Sequence, residues 1–319
     1  MLTQTQPLPI FRVRDTAGAA RMSIAIVNYN TRDELRACLE TVCLDAPAEI
    51  IVVDNASRDT SVEMVQSQFS NARLIANRAN VGYGAAANQA LRACASEYVL
   101  LLNSDTRLAR GACAALTAYM DTHPRAAIVG PRLLNADGSL QASCYPDPTP
   151  REIFLQESTL GRATRSLRTW EHDRARVVPW VLGAALAMRR AAFEAIGGFD
   201  ESFFLYWEEA DLCYRLRRAG WEIHFAPVTA VFHRGGASTR QQPAMTLPLF
   251  FLSAACFYRK HFSPRDFQQL RAVVACVIAA RAARDALKLP FSRGAPRALL
   301  QEKIAAYREV LAAARKGWQ

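Results

Sequence analysis

No segment of this 319-residue chain reaches the ~18–20 uninterrupted apolar residues that a membrane-spanning helix needs. Leu247–Tyr258 is too short, and Ala272–Ala280 runs into Arg281 and Arg284. Residues 1–21 hold no apolar stretch of the signal-peptide kind, their first basic residue is Arg12, and they read as a flexible leader. Paired cysteines are also missing: the eight present are scattered, with no CxxC doublet. That excludes a disulfide framework or a zinc site of ordinary spacing, and Cys38, Cys94 and Cys213 read as reduced core thiols. Acidic charge is in deficit, with 29 Asp and Glu against 39 Lys and Arg, a net +10. Such a balance favours anionic partners, either phosphates or an anionic membrane surface. No nucleic-acid motif accompanies it, so nucleic acid is not an expected partner. The expectation is a cytoplasmic protein, with peripheral contact at the inner face of the cell membrane and oligomerisation left open.

What is present is ordinary globular composition, 51% apolar, in a chain long enough for a substantial core. From residue 22, short apolar runs alternate with helical patterns. Met22–Val27 ends in Asn28-Tyr29-Asn30, and Thr31 with Glu34 then suggests a capping box. Glu49–Val53 ends in Asp54-Asn55, and Arg73–Ala76 in Asn77, followed by Asn80-Val81-Gly82-Tyr83-Gly84. Tyr98–Leu102 ends in Asn103-Ser104-Asp105-Thr106. Alternation of this kind predicts βαβ units around a mostly parallel α/β sheet flanked by helices. Ligands bind beyond the carboxyl ends of such strands, and four polar strand tips in a row predict one shared site there. One tip alone would suit turn capping equally well.

Further along, Ile128–Leu134 is strand-like, Asn135–Gly138 is a turn, and Val177–Met188 is a long apolar stretch. Ile223–Phe225 and Ala230–Phe232 read as two short strands, the second ending in His233. Arg162, Arg165 and Arg168 fall on one helical side, either a solvated face or a lid over an anionic substrate. Residues 22–240 form the expected main domain and 241–319 a helical, basic C-terminal extension. In the extension, Phe267–Ile278 supplies an apolar front half, and Arg281, Arg284 and Lys288 a cationic back half. Pro290 and Pro296 bound a linker. Packing and peripheral membrane contact both suit that order.

The chemistry follows if the tips converge. Asp54 offers an acceptor for a base or ribose, and Asn80 and Gly82 a close backbone approach. Asp105 offers a hard oxygen for Mg2+ or Mn2+, and His233 a nitrogen better suited to Mn2+. Glu208, Glu209 and Asp211 open a helix, where the dipole favours the ionised form that a general base requires.

Taken in order, these motifs resemble those of family 2 glycosyltransferases with the GT-A fold, above all the rhamnosyltransferase type. They are Ile26–Asn30, Val52–Ser57, Asn77–Gly84, Leu101–Asp105, Gly197–Glu201, Trp207–Leu212, and His233 before Gly235-Gly236, and together they span about residues 22–240. The resemblance implies a donor site drawn from Val27, Asn28, Asn30, Asp54, Asn55, Asn80, Gly82, Asn103 and Asp105, with Asp54 on the nucleobase. It places Asn103-Ser104-Asp105 where the family has its DxD motif, makes Asp105 and His233 metal ligands, and puts Glu209 where many relatives have a catalytic Asp. Glu209, then Asp211, then Glu208 is the order of preference for the base. The implied donor is a dTDP, UDP or GDP sugar. The acceptor is a glycan or lipid-linked hydroxyl in cell-surface polysaccharide synthesis, and the displacement is inverting. Asn103 and Glu209 depart from the family pattern, which keeps a non-catalytic nucleotide-sugar or glycan-binding relative in view. A nicotinamide dehydrogenase fits poorly, because Gly82-x-Gly84 lacks a third glycine and follows the third strand, not the first.

Overall fold

The computed structural model describes residues 21–158, 172–237 and 243–318. Residues 1–20 and the arginines at 162, 165 and 168 lie outside the described residues.

The first half folds as the alternation dictates. The strands are β1 (Met22–Asn28), β2 (Glu49–Asp54), β3 (Ala72–Ala76) and β4 (Tyr98–Asn103), and the intervening helices are α1 (Arg32–Leu44), α2 (Ser61–Gln68) and α3 (Tyr83–Ala93). The four strands are parallel, in the order β3-β2-β1-β4. All seven residues of β1 are buried, as expected of a strand covered on both faces. Ile24, Ile26, Leu100 and Leu102 point to the α1 side, and Ala25, Val27, Val99 and Leu101 to the α3 side, the two faces of a period-two alternation.

The sheet then continues through β5 (Thr106–Leu108), β6 (Ala126–Leu134), β11 (Ala185–Arg189) and β12 (Glu222–His233), in the order β4-β11-β6-β12-β5. Between β5 and β6 runs α4 (Ala112–Thr122). Short pieces follow β6: β7 (Leu140–Gln141), β8 (Cys144–Tyr145), α5 (Pro150–Glu157), β9 (Arg176–Val177) and β10 (Trp180–Val181). α6 (Arg190–Ala195) and α7 (Glu208–Arg218) lie between β11 and β12. β11 runs antiparallel to β4 and β6, so the sheet is mixed at this end.

Several local expectations are corrected. Thr31 does not cap α1 with its side chain. Its hydroxyl instead donates to Asn28 Oδ1 (2.7 Å) and meets Ser104 Oγ (2.7 Å), tying two strand tips together. Val177–Met188 is divided among β9, β10 and β11. The two strands expected near residues 223–232 are one, β12, with a register shift between Phe225 and Ala230. All eight cysteines are free thiols.

The C-terminal segment is helical: α8 (Pro243–His261), α9 (Pro264–Lys288) and α10 (Gly294–Arg315). A full capping box at Ser263 and Asp266 opens α9. The expected linker is only a 3-10 turn at Leu289–Phe291, and Pro296 sits in the first turn of α10, where its missing N–H is harmless. The expected cationic half of α9 is partly buried. Arg281 is packed inside and pairs with Glu157 (2.6 Å), and Arg284 pairs with Asp285 (2.9 Å). These helices share one core with the sheet domain, in which Phe203, Trp207 and Ala210 pack with Phe251, Phe257, Tyr258, Leu270 and Tyr307. Among the described residues, no helix is long and apolar enough to cross a membrane.

Candidate active site

Strand register assembles the site. Asn28 stands opposite Asp54, and Val27 opposite Asn103, so β1, β2 and β4 deliver their polar ends to one edge. β5 returns antiparallel along β12 with Thr106 opposite His233. That pairing carries His233, 128 positions further along the chain than Asp105, to 3.3 Å from it (Nε2 to Oδ1). A cavity of about 270 Å³ opens at this edge. Its wall includes Val27, Asn55, Asn80, Gly82, Asn103, Asp105, Glu208, Glu209 and His233.

Four other expected residues stand behind that wall. Asp54 is buried, accepting from Asn28 Nδ2 (2.8 Å) and Ser57 N (2.8 Å). Asn28 is buried with it. Asn30, in the left-handed region at φ 52°, accepts from Arg58 N (2.7 Å). These three hold the loops after β1 and β2. Asp211 is fully buried away from the cavity, and its carboxylate receives Arg215 (2.6 Å), Lys260 (2.7 Å) and His261 (2.6 Å). A carboxylate so occupied anchors α7 to α8 and is not placed to take a proton from a substrate in the cavity.

Gly82, on the cavity wall, also meets protein closely. A Cβ there would lie 2.8 Å from Phe204 O, and Tyr83 N donates to that oxygen (2.8 Å). With φ at 89°, this glycine brings the 203–206 loop over the cavity. Asn55 holds the same region. Its Nδ2 donates to Asn80 Oδ1 (2.8 Å), and its Oδ1 accepts from Asn77 and Val81 N (3.1 Å each).

The aromatic run before the acids explains their position. Tyr206 and Trp207 both adopt positive φ (69° and 70°), a strained conformation for bulky residues costing of order 1–3 kcal/mol each. Trp207 is locked by packing against Phe250, Phe257 and Tyr258 of α8. The chain therefore turns sharply, and α7 starts with Glu208 and Glu209 facing the cavity. One oxygen of each, Oε2, is buried without a hydrogen-bond partner. Burial, then the neighbouring Glu209, drives the Glu208 pKa well above the usual glutamate range. Burial also raises that of Glu209, opposed by N–H groups including Gly183 and Ala210. Desolvation thus opposes the ionisation expected from the helix N-terminus.

This has a stability consequence. A carboxyl whose folded pKa is raised contributes most below the usual glutamate value, and that contribution is lost as pH rises toward the folded value. Glu208→Gln is therefore expected to raise the Tm by roughly 2 °C or more at pH 8, and by less at pH 5. Thermal melts at the two pH values check this, and an equal or lower Tm at pH 8 would contradict it.

Behind His233 stands Gln141, which the sequence did not single out. Its Nε2 donates to Asn135 Oδ1 (2.9 Å), turning Oε1 toward His233 Nδ1 (2.7 Å). Nδ1 therefore carries the proton, and Nε2 faces Asp105 with its lone pair. Two acceptors held 3.3 Å apart need a shared proton or a shared cation. Where a proton fills that gap His233 is a cation, and its hydrogen bond and charge outweigh the effect of burial and lower the Asp105 pKa; a metal ion would take the place of that proton. Among the described residues, no group of three or more His, Cys, Asp or Glu converges. A metal here would have two protein ligands and take the rest from the ligand and water. Gln141→Leu is expected to weaken Mn2+ binding, measured by calorimetry, by about tenfold or more while leaving the fold intact.

The cavity also takes residues outside the expected site: Tyr29 and Tyr83, which lie within two of the motifs without an expected role, Gly183, and, from α8, Met245 and Thr246. Met245 and Thr246 were visible only as part of the helical C-terminal extension, just before the apolar run Leu247–Tyr258.

Comparison with known proteins accords with this geometry. Residues 23–194 match the family described as Glycosyl transferase family 2. An N-acetylglucosaminyl-diphospho-decaprenol L-rhamnosyltransferase of Mycobacterium tuberculosis is 29% identical over 257 residues, covering 74% of this chain and 83% of that protein. A low-salt glycan biosynthesis hexosyltransferase of Haloferax volcanii is 31% identical over 218 residues, 66% of each chain. Among solved structures, a mannosyltransferase from Pyrobaculum calidifontis in complex with GDP-Man and Mn2+ superposes with a TM-score of 0.55 at 16% identity, covering 98% of this chain and 90% of that one. At that identity the likeness shows the fold alone, the GT-A arrangement of a mostly parallel sheet between helices.

Proposed function

Because this chain belongs to glycosyl transferase family 2, we propose that the carboxyl-edge cavity is the transfer site of an inverting, metal-dependent glycosyltransferase acting in cell-surface glycan synthesis. The donor is a nucleoside-diphosphate sugar, with rhamnose the leading candidate, and the acceptor is a hydroxyl on a lipid-linked or glycan substrate. The mycobacterial relative, named an L-rhamnosyltransferase toward a diphospho-decaprenol acceptor, supports the sugar and acceptor classes.

One observation carries the reading: a single cavity is lined both by the Asp105–His233 pair and by Glu209, whose Oε2 has no hydrogen-bond partner. Asp105 and His233 would hold Mg2+ or Mn2+, which neutralises charge as the nucleoside diphosphate departs. Glu209 accepts the proton of the acceptor hydroxyl as its oxygen attacks the anomeric carbon from the face opposite the leaving group. The bond from that carbon to the diphosphate oxygen breaks in the same displacement, inverting the centre. Asn80 and Asn103 supply neutral hydrogen-bonding groups for the nucleotide along the strand tips, and Asn55 holds the Asn80–Gly82 loop in place behind them. Phe204 and Tyr206 reduce water access above it.

A screen of thymidine, uridine and guanosine diphosphate sugars against polyprenyl-diphosphate-linked acceptors, with mass detection of products, tests this. Product with inverted stereochemistry is expected. Donor binding with no turnover across the panel would overturn the catalytic reading.

A further inference from the structure

The corner between α9 and α10 is the one place among the described residues where large apolar side chains stand fully in water beside a run of cations. Phe291 is 90% exposed and Leu287 74% exposed, and Leu299 on the first turns of α10 is 42% exposed. Lys288, Arg293 and Arg297 are exposed among them. Between Asp285 and Glu302 the sequence contains no acidic residue. Elsewhere on these helices the apolar side chains are covered: Leu270, Val274, Ile278, Tyr307 and Val310 are all inside the shared core. The exposed apolar group is therefore not an unfinished core face but a separate tip.

We propose that this corner is a docking element for an anionic lipid surface, with Phe291 and Leu287 entering the interfacial layer and Lys288, Arg293 and Arg297 lying against acidic headgroups. Charge selects this occupant. A rim of three cations around an aromatic and a leucine, offset only at Lys288 by the buried Asp285 (3.9 Å), complements an anionic leaflet, and the long basic side chains can extend toward headgroups while the apolar ones enter below them. The corner is also firmly built. Arg281 ties α9 to the end of α5 through Glu157 (2.6 Å), and Tyr307 of α10 donates to Asp285 of α9 (3.1 Å). α8, in the same helical core, supplies Met245 and Thr246 to the cavity. Docking would therefore fix the orientation of the cavity relative to the lipid surface. The proposal does not depend on the transfer reading, because lipid binding is measured without donor or acceptor.

The test is co-sedimentation of the full chain with vesicles of phosphatidylcholine alone and with about a third phosphatidylglycerol. Binding at least about tenfold stronger to the anionic vesicles, and falling with added salt, is expected. The double variant Leu287→Ser with Phe291→Ser, and separately the triple variant Lys288→Gln, Arg293→Gln and Arg297→Gln, should each lose about tenfold or more. The Tm of the serine variant should stay at the wild-type value, because both side chains are exposed. The triple variant also loses the Arg297 bond to Leu289 O (3.0 Å) and the Lys288–Asp285 pair (3.9 Å), so its binding is compared at a temperature well below its own Tm. Equal wild-type partitioning onto both vesicle types would overturn the proposal. So would full binding by the serine variant. A wild-type dimer in solution that the serine variant converts to monomer would assign the corner to a second copy of the chain instead.

Discussion

Replacing Glu209 by Gln lowers transfer by about a hundred- to ten-thousand-fold, the range for loss of a general base, and leaves donor binding within a factor of about two. The side chain keeps its size and its place beside Gly183, whose added Cβ would lie 3.4 Å from Glu209 Oε1. Only the ability to take a proton is lost. The pH profile sharpens the test. Burial raises the Glu209 pKa, so the basic form is depleted as pH falls, and wild-type kcat/KM declines toward acid from a higher pH than for an ordinary carboxylate. The residual rate of the Gln variant should lack that limb. If Glu209→Gln retains full activity, the base must be Glu208, the other glutamate on the cavity wall. Asp211 then still remains excluded by its three cationic and imidazole partners.

Asp105→Ala abolishes the stabilisation that nucleoside diphosphate with Mn2+ confers on the wild type. At ligand 100-fold above Kd that stabilisation is about 2.7 kcal/mol, a shift readily seen in a thermal melt. The comparison is between gains with and without ligand for each protein, because removing Asp105 also strips His233 of its neighbour and changes the baseline. His233→Ala should reduce the gain in the same direction. An undiminished gain in Asp105→Ala would remove the metal assignment and with it the role given to Asn103-Ser104-Asp105. The one-acid form of this motif makes the result informative: with a single carboxylate, His233 must carry a share of the binding that a second acid would otherwise supply.

Much of the fold was legible in the residues themselves. Four apolar runs ending in Asn or Asp could bury both faces only in a covered parallel sheet, and their common direction put the polar ends on one edge. The sheet order, the antiparallel insertion of β11 and the single long β12 were not legible. They depend on pairings between segments tens of residues apart, which leave no local periodicity. Thr31 shows the same limit at small scale. Its spacing to Glu34 resembles a capping box, but its hydroxyl is claimed by Asn28 and Ser104, the latter 73 positions away.

The candidate site divides in the same way. The types of group needed were set by the sequence alone: hydrogen-bonding tips, one hard carboxylate, one imidazole, and a cluster of acids opening a helix. Tertiary structure decided which of them meet. Strand register brings His233 to Asp105 and stations Gln141 behind it, and packing of Trp207 against α8 turns Glu208 and Glu209 inward. Asp54 and Asp211 carry the same carboxylate chemistry, yet their oxygens are consumed by Asn28 and Ser57, and by Arg215, Lys260 and His261. Chemistry belongs to the residue type, but availability depends on which partners the folded chain places within hydrogen-bond reach, and those partners come from distant parts of the sequence.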